Sequence, residues 1–559
     1  MTILGRVLQL YERDRERVFA HVWDARAGVE PVTYGALVLR AAGIAARLGA
    51  EGIGRGDVVV MIAKPGAMLL SAWLAPLLLG AIPSLFPWPT EKLSREYFEH
   101  SVAAMLRICG ARVLVTTHEL LDRLRPLTTD APALRAILTL DDVAVPEALP
   151  PPDRALLEDA DLIAVLQHSS GSTGSQKGIA LSSRAVLNQI ESNGRALRVT
   201  SADRIANWMP LYHDAGLIAG FIQPLVSGLL LSILSPIDWV HDPVRLLRAI
   251  THDRSTLCWL PNFSYNFMAA KIPDRKLAGI DLSSIRALVN TAEPVRVASH
   301  ELFLRRFAPY GLKERALTTS YGTAENTLAI TQSDPDRPLT VDVVNRTRLA
   351  GEGHALPPAP GEPAVAMLSS GRPIPDTELI VLDEQRRPLG DRRVGELAIR
   401  SNCMLTGYYR RPDLSAQAFH DGWYLTGDYG YTAGGEVFVS GRKKDLIVVC
   451  GNNIYPQDLE FIADQVPGVH PGRTVAFGLE NPGSGTEDVV VIVEAEPGAG
   501  SDEVAEGVRS AIARQSDCVA RTVHVVPPMW LIKTSSGKIS RARCKEKFLA
   551  ETAAEPPPG

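Results

Sequence analysis

The chain has 559 residues, 46% apolar and 22% charged, with a net charge of -5. That length exceeds one hydrophobic core, so two or more domains are expected, and the charge argues against nucleic acid or an anionic membrane as a partner. The six cysteines (Cys109, Cys258, Cys403, Cys450, Cys518, Cys544) are far apart and form no CxxC pair, which argues against a zinc site or disulfide framework and suits a reducing cytoplasm.

The first residues, MTILGRVLQLYERDRERVF, carry charges where a secretory signal needs an apolar run. Up to about residue 150, amphipathic helices alternate with short apolar strands. Thr33 to Leu48 reads as a helix, Val58 to Ala63 as a buried strand, and Met68 to Leu79 as a helix apolar on all sides. Val113 to Thr117 and Ala136 to Leu140 read as strands. This alternation predicts an α/β fold with parallel-rich sheets covered by helices. Two uncharged stretches, Gly66 to Pro87 and Ala219 to Ile237, are long enough to span a bilayer. Pro76, Gly80 and Pro83 interrupt the first, and Pro224, Gly228 and Pro236 the second. Each therefore reads as a buried helix, a turn and a buried strand, with no membrane insertion. Pro146 to Pro152 is a surface connector.

The stretch Leu166 to Ala180, LQHSSGSTGSQKGIA, follows an apolar run from Leu162 that reads as a strand. It gathers the hydroxyls of Ser169, Ser170, Ser172, Thr173 and Ser175 and the glycines Gly171, Gly174 and Gly178 around Lys177. Glycines let backbone N–H groups approach a ligand, and hydroxyls add short donors, so the loop suits phosphate oxygens. It is not a Walker A loop, because Gly178 follows the lysine where Ser or Thr is required. A Ser/Gly linker would not need the strand before it or the amphipathic helix Ser183 to Ala196 after it.

Further strands are expected at Thr256 to Leu260 and Ile285 to Asn290. From Ser333 to Gly371 the periodicities fade among glycines and prolines, which predicts a long irregular insertion. Short alternating strands such as Glu378 to Leu382 and Gly395 to Arg400 then suggest a β subdomain. Gly441-Arg442-Lys443-Lys444-Asp445 reads as a boundary. Beyond it, Pro456 to Gln465 and Asp502 to Gln515 read as helices, and Val489 to Glu494 and Thr522 to Val526 as strands.

Six motifs follow the Ser/Gly loop in order: WMPLYHDAGL (208–217), NTAEP (290–294), YGTAENTL (321–328), YLTGDYG (424–430), GRKKDLIVVCGNNIYPQDLE (441–460) and IKTSSGKISR (532–541). In this order and spacing they resemble the adenylate-forming superfamily of acyl-CoA synthetases, peptide-synthetase adenylation domains and luciferases, over nearly the whole chain. LYHDAGLI with its following QPL, LPNFSY and GNNIYPQDLE resemble the fatty acyl-AMP ligase branch, whose characteristic insertion falls where the irregular segment lies. The resemblance implies a large adenylation domain at 1–441, a hinge at 442–446 and a small mobile α+β C-terminal domain at 447–559. It implies ATP-dependent conversion of a carboxylic acid, a fatty acid first, to acyl-AMP and pyrophosphate. The acyl group then passes to the thiol of an acyl carrier protein, here a separate chain because no carrier signature follows the last motif.

The resemblance also implies roles for single residues. Carboxylate attack on a phosphate crowds negative charge, so cations and donors must converge there. The ATP phosphates fall to Ser169, Ser170, Gly171, Ser172, Thr173, Gly174 and Lys177. Asn290, Thr291, Ala292 and Glu293 border the adenine and acyl sites, and Tyr321, Gly322 and Thr323 the adenine. Glu325 suits Mg²⁺, a hard cation that takes oxygen ligands. Asp428 accepts the ribose hydroxyls, assisted by Arg442. Lys538 is the catalytic lysine, His213 orients the substrate carboxylate, and Lys444 is the hinge. Rotation of the C-terminal domain brings Lys538 to the nucleotide in one pose and removes it in the other.

Three features depart from the branch's usual pattern: Thr291 in place of glycine, His168-Ser169 before the serine run, and the aromatic segment Ser84 to Met105. They bear on the acid more than on the phosphates. An aryl acid, an amino acid, or nitrite activated for diazo or N–N bond formation is therefore the alternative substrate. A binding protein without catalysis is the third reading, but Lys538, Glu325 and Asp428 are all retained.

Overall fold

A computed structural model of the chain describes residues 1–89, 95–129, 131–141, 143–169, 177–449, 452–481, 486–516, 518–534 and 538–554. Its main sheet has nine strands. The six inner ones run parallel, in the order Leu317–Gly322, Ala287–Thr291, Leu257–Pro261, Arg204–Asn207, Leu230–Leu234 and Val18–Asp24. Antiparallel strands close both edges: Ala329–Gln332 and Arg372–Pro373 on one side, Gly28–Thr33 on the other. A second, parallel sheet orders Ile82–Leu85, Val58–Met61, Val113–Thr116 and Ala136–Thr139. VVVM at 58–61 is buried at every position, as a strand covered on both faces must be.

Local chemistry sets the helix starts. Thr33 accepts the Ala36 N–H at 3.1 Å and starts the helix Tyr34–Ala50; Ser182 does the same through Ala185 for Ser183–Ala196. Gly66 to Pro87 resolves into the helix Ala67–Leu74, a 3₁₀ turn at Ala75–Leu79 and the strand Ile82–Leu85. The second uncharged stretch also ends in a strand, Leu230–Leu234, but opens with a π-helix at Ala215–Ile222, a form its apolar composition does not signal. Among the described residues no helix is long and apolar enough to cross a membrane.

The segment expected to be irregular is not. Val341–Asn345 and Ala364–Leu368 pair antiparallel, flanking the helix Arg346–Glu352. Val344, Leu349 and Ala355 pack on Tyr431 and Phe438 of the β subdomain. The period-2 signal of VDVVN is too short to stand out among prolines, and packing on that aromatic pair supplies what local pattern does not. The subdomain itself is an antiparallel sheet built on Thr377–Leu382, Gly395–Ser401, Trp423–Ala433 and Glu436–Arg442.

Residues 447–554 carry separate cores. Strands Val469–Asn481, Thr486–Ala495 and Ala520–Val526 form one sheet, with Pro456–Ala463 and Ser501–Gln515 packed against one face. Trp530, Leu531, Cys544 and Phe548 cover the other.

Candidate active site

The motifs converge where the parallel strands end. Strand Ala287–Thr291 delivers Asn290 and Thr291 at its C-terminal end, and the chain then turns through Ala292, whose φ of 69° is left-handed. That turn aims the Ala292 carbonyl at Lys538, whose Nζ donates to it at 2.8 Å. Lys538 is held there by local pairing: Thr534 N–H donates to the Lys538 carbonyl, and Lys533 bridges Ile539. Burial pushes the Lys538 ammonium below its ordinary range, Glu293, Asp214 and Asp428 pull it back up, and Arg442 adds to the depression. One buried cation from the C-terminal segment thus stands among three carboxylates of the larger region.

Asn290 and Glu293 act on the framework. Asn290 is fully buried, and its Nδ2 donates to Asn262 Oδ1 at 3.0 Å and to His300 Nε2 at 2.8 Å. Burial pushes His300 down to about 4, so its ring is neutral and can accept that bond. Glu293 accepts the Phe263 N–H at 2.9 Å. Thr291 is buried.

His213 and Asp214 sit just before the π-helix. His213 Nδ1 lies 2.5 Å from Asp214 Oδ1, and Asp214 also accepts the Ala215 N–H at 2.7 Å. Burial would raise the Asp214 carboxyl, but His213, the Ala215 bond and Lys538 hold it below the usual range. The turn is tight: a Cβ on Gly216 would stand 2.1 Å from the Pro210 carbonyl oxygen.

Asp428 and Arg442 meet because they are register partners in one hairpin. Arg442 Nε is 3.5 Å from Asp428 Oδ1, and the Tyr321 hydroxyl donates to Asp428 Oδ2 at 2.7 Å. Burial raises the Asp428 carboxyl and outweighs the pull of Arg442, Tyr321 and Lys444. Tyr321 is the last residue but one of the strand Leu317–Gly322, and at Gly322 a Cβ would stand 1.8 Å from the Leu328 carbonyl oxygen. Thr323 then caps the following turn by accepting the Asn326 N–H. Lys444 lies in the 3₁₀ turn Lys443–Asp445 that leaves the hairpin, where burial lowers its ammonium.

Glu325 lies within the 3₁₀ turn Ala324–Asn326 that Thr323 caps, and its Oε1 accepts the Tyr408 hydroxyl at 2.9 Å. The Tyr408 ring in turn lies beneath Lys177 Nζ, 4.9 Å from its centroid. Strands Ile163–Ser169 and Lys177–Ser182 pair antiparallel with Ser169 opposite Lys177. Ser170, Gly171, Ser172, Thr173 and Gly174 lie outside the described residues, as does the Ser169 side chain. The sequence reading missed four groups. Asp214 stood inside a quoted motif, but a carboxylate beside a histidine has no distinguishing period. Tyr408 and Tyr424 approach Glu325 only through folding; their hydroxyls are 3.4 Å apart. Arg296 reaches Asp458 at 2.7 Å and the Gln457 carbonyl at 3.2 Å, and stacks on Phe461, joining the two parts of the chain.

Residues 11–409 match the family described as AMP-binding enzyme. The long-chain-fatty-acid–AMP ligase FadD26 of Mycobacterium marinum is 30% identical, covering 97% of this chain and 96% of its own. The medium-chain-fatty-acid–[acyl-carrier-protein] ligase JamA of Moorena producens is 28% identical, over 96% and 93%. A solved structure from work on the fatty acyl-adenylate ligases of E. coli and L. pneumophila superposes with a TM-score of 0.89 at 27% identity, over 99% of this chain and 98% of that one. A match over most of the length, in both sequence and fold, makes this chain a member of the AMP-binding enzyme family, on the fatty acyl-AMP ligase branch of the adenylate-forming enzymes, and an AMP-forming acid ligase.

Proposed function

We propose that the enzyme joins a fatty acid to ATP, releases pyrophosphate, and passes the acyl group from acyl-AMP to the thiol of a separate acyl carrier protein. The observation that carries this reading is the Lys538 ammonium on the Ala292 carbonyl, among Glu293, Asp214 and Asp428. A cation there can bond both the attacking carboxylate and an α-phosphate oxygen, lowering the repulsion as they approach. Asp428, a buried acceptor, takes the ribose hydroxyls, and Arg442 lends its charge beside it. Tyr321 and the Asn290–Glu293 turn border the base. Lys177 and the serine-rich loop take the outer phosphates. Glu325 offers a carboxylate oxygen beside Lys177, which fits Mg²⁺; the ion would supply charge neutralisation on the phosphates. His213, oriented by Asp214, holds the substrate carboxylate.

The fatty-acid preference is supported by the two relatives named for fatty acids, and the carrier by the second of them. Domain rotation about Lys444 is part of the same reading: residues 1–441 and 447–559 form its two bodies, and Arg296 bonds one to the other in the pose with Lys538 inside. A second reading, an aryl acid, is favoured by an aromatic cluster that includes Phe263, whose backbone N–H Glu293 accepts. Trp208 stacks on Trp239 with centroids 3.6 Å apart, and Phe263 meets both edge-on.

Purified enzyme incubated with ATP, Mg²⁺ and a pool of fatty, aryl and amino acids, with nitrite in a separate arm, tests both. Mass spectrometry should detect fatty acyl-AMP, and a phosphopantetheinylated carrier should gain the acyl mass. Pyrophosphate release with nitrite or aryl acids alone would overturn the fatty-acid assignment; no adenylate with any acid would overturn the function.

A further inference from the structure

Away from the nucleotide site, three ligand-type side chains share one point. His21 lies mid-strand in Val18–Asp24, and its register partner is Ser232 of Leu230–Leu234, so both side chains leave the same face of the sheet. His252 and Asp253 end the helix Val244–Asp253. His21 Nδ1 and His252 Nδ1 each stand 2.7 Å from the same oxygen, Asp253 Oδ1. The three ligand atoms lie within 4.8 Å of one another. The other oxygen, Asp253 Oδ2, accepts the Ser232 hydroxyl at 2.5 Å and the Trp23 Nε1–H at 3.4 Å, so the carboxylate is oriented from behind. Trp23 also meets the His252 ring edge-on.

Charge favours a cation here. A buried carboxylate at a helix C-terminus faces the negative end of the helix dipole. The guanidinium of Arg204 answers this only at the Asp253 backbone carbonyl, to which it donates at 2.8 Å. We propose that His21, His252 and Asp253 form a divalent-metal site of zinc type that clamps the strand Val18–Asp24 to the helix Val244–Asp253. Two imidazoles and one carboxylate are a zinc donor set and a poor one for magnesium, which prefers oxygen ligands. Oriented outer partners such as Ser232 and Trp23 are what such sites use to fix their ligands. Zinc–ligand distances of about 2.0 Å in a tetrahedral site separate the ligand atoms by about 3.3 Å, so the two contacts lengthen by about 0.6 Å. His252, 58% exposed, has that freedom. Both imidazoles bind through Nδ1 in the neutral form, with their protons on Nε2, and solvent completes the shell. Asp253 precedes the strand Leu257–Pro261, at the opposite end from the active-site turns, so the clamp acts on the fold and not on the adenylate.

The test is a calorimetric titration of chelator-stripped full-length protein with ZnCl₂, without ATP or acid, beside a thermal melt. One Zn²⁺ per chain and a raised thermal midpoint are expected, with MgCl₂ neither binding there nor competing. His252→Ala and His21→Gln should each weaken zinc at least about tenfold, and His420→Ala, elsewhere on the surface, should not. No saturable binding, or equal binding by the His252→Ala protein, overturns the site whatever the adenylation assay reports.

Discussion

The Tyr408 hydroxyl donates to Glu325 Oε1 at 2.9 Å while the Tyr408 ring carries Lys177 Nζ on its face. One side chain thereby sets the spacing between the lysine assigned to the outer phosphates and the carboxylate assigned to Mg²⁺. Tyr408→Phe keeps the ring and removes the bond to the carboxylate, a loss of about 1.5–3 kcal/mol for a bond to a charged group. The Mg²⁺ concentration giving half-maximal pyrophosphate release should rise about tenfold or more. An unchanged Mg²⁺ dependence would separate Tyr408 from the phosphate machinery.

Lys538→Ala should lower adenylation by a factor of about 10² to 10³ and leave ATP binding nearly intact, because the ammonium acts where charge develops in the transition state. Burial disfavours the charged form, so Lys538 loses its proton at a lower pH than the ordinary lysine value of 10.5. Activity should therefore fall on the alkaline side below that pH, and Lys538→Arg should abolish that limb in whatever activity remains. ATP affinity and the pH–rate profile of both variants check this together.

Asp428 is shifted the other way. Its raised carboxyl takes up a proton at a higher pH than an ordinary carboxylate. AMP binding should therefore weaken on the acid side at a pH above the ordinary carboxylate value of 3.8. Asp428→Asn should weaken AMP about tenfold or more at neutral pH and flatten that dependence, as read by equilibrium binding.

Arg296 joins the C-terminal segment through Asp458, the Gln457 carbonyl and the Phe461 ring. Asp458 is 46% exposed, so water screens the ion pair. Arg296→Ala should slow adenylation by no more than roughly fivefold, with the ATP dissociation constant unchanged. Small-angle scattering should show a wider particle if the contact holds the pose.

Ala292 takes a left-handed φ of 69° at the residue whose carbonyl receives Lys538. A Cβ in that region costs roughly 1–2 kcal/mol. Ala292→Gly should therefore raise the thermal midpoint, net of the greater freedom of unfolded glycine. Its effect on turnover reads how much the rigid carbonyl matters to Lys538.

The order of the motifs was legible because each is local. A strand that ends in glycines and hydroxyls, the YLTGDYG motif and a basic boundary each announce themselves within ten residues. The helix Ser183–Ala196 was expected with the bounds the structure has, since its cap and apolar face are both local. The paired strands inside 333–371 were not legible, because their partner surface, Tyr431 and Phe438, lies far along the chain. The π-helix at Ala215–Ile222 was hidden for another reason: an apolar run fixes burial but not the hydrogen-bond period.

By itself, the sequence determined the α/β class, the family and the inventory of charged groups, because these follow from short patterns and their order. Only the tertiary structure decided who meets whom. Tyr408 on Glu325, Arg296 on Asp458, and Lys538 on the Ala292 carbonyl span 83, 162 and 246 residues of chain. No local pattern encodes contacts at such separations; they arise when separate cores pack and bring their charges within bonding distance.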